Sequence, residues 1–144
     1  MGKREYSVWI KAAPEQVWQV YVDPRRIPDW QTGRPVIGDV QGVPGRSGST
    51  YVSKRGPLSA RTAVLTSRAP HELVTRTDTT LGLQLEVTSR LRGRSDGTDL
   101  ELRVVTHWRR GLGLIATVVE LAILNPGEAR KELAHLKTLV EREA

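Results

Sequence analysis

The stretch IKAAPEQVWQVYVDPRRIPDW, Ile10 to Trp30, holds three prolines in twenty-one residues and still carries helical spacing twice. Ala13-Pro14-Glu15 reads as a helix start. Proline at the first helical position gives up an N–H that has no intrahelical partner, and Glu15 suits the positive end of the helix. Val17, Trp18 and Tyr21 then recur at helical spacing. Asp23-Pro24 repeats the grammar, with the Asp23 carboxylate as N-cap and Pro24 opening a second helix. Pro28 predicts that this second helix is short and ends near residues 30–32. The pair forms an elbow with Val17, Trp18, Ile27 and Trp30 turned inward, Trp18 in the core and Trp30 at the rim.

Period-two patterns flank the elbow. Tyr6, Val8 and Ile10 alternate against Ser7, Trp9 and Lys11, which predicts a strand. Downstream, 34–43, 47–54, 58–68, 72–79, 83–92 and 98–109 each read as extended, separated by the turn signals GVPG, RGP, APH, TLG and RSDGT. In the hairpin Ser95-Asp96-Gly97, Gly97 is assigned the positive φ of a tight turn. Leu83, Leu85, Val87, Ser89 and Leu91 share one face of the penultimate strand, and Leu100, Leu102, Val104, Thr106 and Trp108 one face of the last. One covered and one wet face indicate an antiparallel sheet, here an up-and-down meander. Past Pro126, Ala129, Leu133, Leu136 and Val140 form a helical stripe whose upward extension reaches Ala122, Val118 and Ile115. That predicts a long C-terminal helix kinked at Asn125-Pro126-Gly127.

Composition narrows the function classes. At 144 residues the chain fits a single domain, 1–144, with a core of its own. The absence of cysteine excludes disulfides, thiolate metal sites and thiol nucleophiles. The N-terminus shows no signal peptide, and the most apolar segment, Leu112–Leu124, is too short to span a bilayer, so a cytoplasmic protein without a transmembrane segment is expected. The formal charge is +6, and 17 of the 22 basic residues are arginine. Arg90, Arg92, Arg103 and Arg109 alternate with apolar neighbours instead of forming a block, so they read as a solvated sheet face and nucleic acid is not an expected partner.

The ordered set of elements resembles the START-like (helix-grip, Bet v 1-like) superfamily, in particular its bacterial polyketide cyclase/dehydrase-like (SRPBCC) branch. The residues that carry the resemblance are Ile10, Ala13-Pro14-Glu15, Val17-Trp18, Asp23-Pro24, Pro28 and Trp30. Gly48, Tyr51, Ala69-Pro70, Gly97-Thr98 and the proline-broken final helix extend it over nearly the whole chain. The resemblance implies an α+β fold in which a seven-stranded antiparallel sheet curls around a long C-terminal helix, with two short helices between strands 1 and 2. It also implies a cavity between sheet and helix for a hydrophobic ligand, lipid- or polyketide-like. Members of the superfamily include enzymes, carriers and chaperone-binding proteins, so fold alone does not select among them.

Candidate chemistry is sparse. His71, His107 and His135 lack metal-ligand spacing, and no GxSxG, Walker or Rossmann motif is present, so neither a metal nor a cofactor is implied. Asp99 and Glu101 share a strand face with Arg103, which predicts a solvated ladder of ion pairs. The interior is assigned to Leu85, Val87, Leu102, Trp108, Leu114, Val118, Leu121 and Ala122, reached by the polar-tipped Trp30 and Tyr51. With no Phe to fill the space, a cavity of roughly 300–1,000 Å³ is expected. Arg61 is the candidate inward charge for an acidic or oxygenated ligand. The register of its strand is open in sequence, so it faces either the cavity or the convex side. Binding or carrying a hydrophobic small molecule is the leading expectation. A cyclase or dehydratase is the alternative, with Arg61, Tyr51 and Glu120 as candidate catalytic groups. An interaction module, a homodimer among the possibilities, would use the outer side of Leu112–Leu124.

Overall fold

Residues 3–108 and 125–144 are described by the computed structural model. The N-terminal alternation becomes strand β1 (Lys3–Ile10), with Ile10 fully buried. Helix α1 (Pro14–Tyr21) begins at Pro14, and Gln16 Oε1 accepts from the Ala13 N–H at 3.1 Å. That is half a capping box, because Ala13 has no side chain to return the bond. Asp23 caps the next turn as the sequence predicts, its carboxylate accepting from the Arg25 N–H at 3.0 Å. The second helix is in two pieces, a 3₁₀ turn (Pro24–Arg26) followed by α2 (Ile27–Trp30). Pro28 explains the break. It has no N–H to reach Pro24 four residues back, so the Ile27 N–H takes the Pro24 carbonyl instead. Trp30 is 6% exposed and belongs to the core, a correction to its expected place at the rim.

Six further strands follow: β2 (Val36–Gln41), β3 (Thr50–Arg55), β4 (Leu58–Arg68), β5 (Glu72–Thr79), β6 (Leu83–Arg94) and β7 (Gly97–Trp108). All pairings are antiparallel, in the order β1-β7-β6-β5-β4-β3-β2, so a meander from β2 to β7 is completed by β1 against β7. The sheet is therefore seven-stranded, as expected. The β6–β7 hairpin corrects one detail. Ser95 and Asp96 take the positive φ values, 49° and 63°, and Arg94 pairs directly with Gly97. Gly97 is instead required by crowding: a Cβ there would lie 2.5 Å from the Ile10 carbonyl oxygen and from the Trp9 ring.

Helix α3 (Pro126–Glu143) starts at an Asn125 cap whose side chain accepts from the Gly127 N–H at 2.9 Å. Its stripe packs inward through Leu133, Leu136 and Val140, all buried. The C-terminal turns are tied to the β1–α1 corner from outside. Lys137 Nζ donates to the Trp9 carbonyl at 2.9 Å and lies 5.1 Å from the Trp9 ring centroid. Glu141 accepts from the Lys11 N–H at 2.8 Å, and Arg26 pairs with Glu143. Among the described residues no helix is long and apolar enough to cross a membrane. The expectations for Leu114, Ile115, Val118, Glu120, Leu121, Ala122 and the whole Leu112–Leu124 segment lie outside the described residues.

Candidate functional site

The inward faces of the strands, α2 and the first turns of α3 surround a concavity of about 620 Å³. The chemistry of its wall follows from period-two alternation, strand by strand. β7 contributes Leu102 and Val104, and β6 contributes Leu85 and Val87. β5 contributes Thr77 and Thr79, and β4 contributes Leu58, Ala60 and Thr62. β3 adds Tyr51, Ser53 and Arg55, while Tyr6 reaches in from β1. The wall thus passes from aliphatic over β6–β7 to a mixed surface over β3–β5, where hydroxyls and Arg55 stand beside Leu58 and Ala60.

The hydroxyls form a row set by strand register, in which Tyr51 pairs with Thr62 and Thr62 with Thr77. The Thr62 and Thr77 hydroxyls are 2.7 Å apart. Burial pushes the Tyr51 phenol above its ordinary pKa, and its hydrogen bond with Thr62 offsets part of that. Tyr21 stacks on Trp30, with ring centroids 5.8 Å apart, and its hydroxyl is 2.7 Å from Ser89 Oγ. Burial of that hydroxyl pushes its pKa up to about 12, with the Ser89 bond acting in the other direction. Both phenols therefore stay protonated at neutral pH. Trp30 Nε1 and Tyr6 OH are sealed from solvent and have no hydrogen-bond partner among the described residues. Orphans of this kind cost about 1–3 kcal/mol each.

A charged cluster stands where α2, β3 and α3 meet. Arg55 Nη2 donates to Gln31 Oε1 at 2.8 Å and reaches Glu132 Oε2 at 3.5 Å. The same Glu132 oxygen accepts from Thr32 Oγ1 at 2.9 Å and from the Thr32 N–H at 3.1 Å. Gly33, with φ at +78°, lets the Arg55 stem lie close, since a Cβ there would come within 3.3 Å of Arg55 Cδ.

Of the residues singled out in sequence, Trp30, Tyr51, Leu85, Val87 and Leu102 come together on this wall. Trp108 pairs with Leu83 near the end of β7 and is not part of the described lining. Arg61 is corrected. Leu58, Ala60 and Thr62 take the inward positions of β4, which sends Arg61 to the convex face, where it donates to Asp39 at 2.9 Å. Among the described residues the charges on the wall are Arg55, Glu128 and Glu132, none of them a candidate from sequence. Arg55 was within reach, since it stands on the same parity as Tyr51 and Ser53. Glu128 and Glu132 are spaced four apart along α3, and Glu132 is four residues from Leu136, beside the buried stripe. On the outer face Asp99 pairs with Arg94 and Arg90 with Glu72 of β5, in place of the expected pairing of Asp99, Glu101 and Arg103 with the 84–92 side.

The family model described as "Polyketide cyclase / dehydrase and lipid transport" matches residues 1–141. No curated protein matches the chain in sequence. Solved structures similar to it include a Rhodobacter sphaeroides protein at 21% identity and TM-score 0.72, covering 96% of this chain and 91% of that one. Ara h 8.0201 aligns at 10% identity and TM-score 0.70, covering 96% and 97%. DynU16, from the dynemicin biosynthetic locus, aligns at 21% identity and TM-score 0.70, covering 96% of this chain and 47% of its own. At such identities the likeness carries the fold, which is the helix-grip architecture.

Proposed function

The chain belongs to the polyketide cyclase/dehydrase and lipid transport family, and we propose that it binds or carries a hydrophobic small molecule, lipid- or polyketide-like, between the sheet and α3. The observation that carries this reading is the concavity of about 620 Å³, whose walls combine aliphatic strand faces with a few convergent polar groups. That volume lies within the range of about 300–1,000 Å³ usual for small-molecule sites.

The test uses N-phenyl-1-naphthylamine, a neutral apolar dye, together with native mass spectrometry of the protein as purified. Saturable dye fluorescence is expected, weakened by about tenfold or more when Val87→Trp fills the wall. Absence of both dye binding and a retained molecule would overturn the proposal.

A further inference from the structure

The wall is chemically one-sided, and that side is built. Every described lining residue on β6 and β7 is aliphatic, whereas both from β5 are threonines, β4 supplies Leu58, Ala60 and Thr62, and β3 supplies Tyr51, Ser53 and Arg55. Tyr51 faces Thr62 in register, and the Thr62 and Thr77 hydroxyls, 2.7 Å apart, share one hydrogen bond. Arg55 has more to give. Its Nη2 serves Gln31 closely and Glu132 only at 3.5 Å, and no described residue accepts from Nε or Nη1. Glu132 does not saturate it, because the oxygen facing Arg55 already takes two shorter bonds from Thr32. Arg55 stands on β3 four residues beyond Tyr51, beside Leu58 in register, and its guanidinium with spare edges is by itself a donor array for oxygen atoms.

Resting on the small-molecule reading above, the geometry points to an asymmetric ligand: an apolar body over β6–β7, and an end bearing acceptor oxygens on the β3 side, against Arg55. Arg55 is then the residue that sets specificity and orientation, and a plain hydrocarbon is the poorer ligand. The oxygens are those of a carboxylate, a sulfonate-like anion or a carbonyl, since each accepts from the same fork. Glu132 competes with them for Arg55.

Two dyes that differ by one group test this. 1-Anilinonaphthalene-8-sulfonate carries an acceptor end that N-phenyl-1-naphthylamine lacks. Arg55→Met is expected to weaken the sulfonated dye by about tenfold while leaving the neutral dye within about twofold. Glu132→Gln keeps an acceptor for Thr32 but removes the competing charge, so it should strengthen the sulfonated dye alone. This second variant also keeps the question answerable if Arg55→Met fails to fold. Arg61→Met, on the convex face, controls for general loss of positive charge and should move neither dye. An unchanged dye ratio in both Arg55→Met and Glu132→Gln, or an equal change in Arg61→Met, overturns the orientation while the small-molecule reading stands. Failure of both dyes to bind the unmodified protein overturns that reading, and the orientation with it.

Discussion

The interior of this molecule has a closed end and an open end, built on the same sheet face. At the closed end Ile10, Val17, Leu91, Leu100, Leu136 and Val140 are all at most 1% exposed, with β1, α1 and the C-terminal half of α3 pressed together. Toward the open end the same strands turn half-buried at Leu85, Val87 and Leu102, and the residues facing inward become Thr77, Thr79, Tyr51 and Arg55. Stability and recognition are thus divided along the strands. Where α1 and the C-terminal half of α3 cover the sheet, the inward positions are buried, and toward Leu85 and Leu102 the described inward positions include hydroxyls and Arg55.

The strongest way to break this division is to truncate one leucine at each end. Leu136→Ala should cost about 2–5 kcal/mol, because it leaves a hole that fully packed neighbours cannot fill. Leu85→Ala borders space that already exists, so it loses only transfer energy, about 1 kcal/mol. Urea denaturation of both variants measures the difference. Equal losses would mean that the open end is packed as tightly as the closed one.

Tyr21 stands at the boundary, stacked on Trp30 and bonded to Ser89, and its ionisation gives the next largest effect. Burial raises its folded pKa to about 12 from the ordinary phenol value of 10.0. The unfolded chain therefore loses this proton first as pH rises. The contribution is fully present below pH 10 and is lost progressively between about pH 10 and 12, approaching roughly 2–3 kcal/mol. Tyr21→Phe should flatten this part of the stability–pH curve, measured by denaturation at several pH values. A curve of unchanged slope would show that the hydroxyl is solvated, and would move the boundary of the closed end past Tyr21.

The closed end was legible in sequence and the open end only partly so. Pro14, Asp23-Pro24 and the 133–136–140 stripe report local chemistry, namely missing donors, caps and helical period, and each appears where that chemistry places it. β4 and β5 span the residues the pattern marks, although β4 shifts register between Val64 and Thr66, whereas β2 is shorter than the pattern suggests, running Val36–Gln41. Arg34 and Asp39 there take φ values of 46° and 50°, which no extended pattern announces. Arg61 and Arg55 show the limit most sharply. Both sit in alternating strands, and only cross-strand register decides which one faces in. Gly97 shows another limit: its turn context suggested a backbone conformation, while its requirement comes from Trp9 and Ile10, close in space and distant in sequence.

The smallest expected effect concerns what holds the closed end from outside. Glu141 accepts from Lys137 and from the Lys11 N–H, and those bonds, Lys137 first, hold its carboxyl below the ordinary range. A depressed folded pKa means that the stabilisation is present above the unfolded value and is lost as pH falls through the folded one. Glu141→Gln should therefore lower the melting temperature slightly near neutral pH. The gap should close in acid, where the carboxylate is protonated in the parent as well. Because the carboxylate is largely solvated, its bonds are screened, and the loss should be well below that of Leu136→Ala. A Glu141→Gln loss as large as that of Leu136→Ala would relocate the strength of the closed end, from burial of the α3 stripe to the charged strap across its surface.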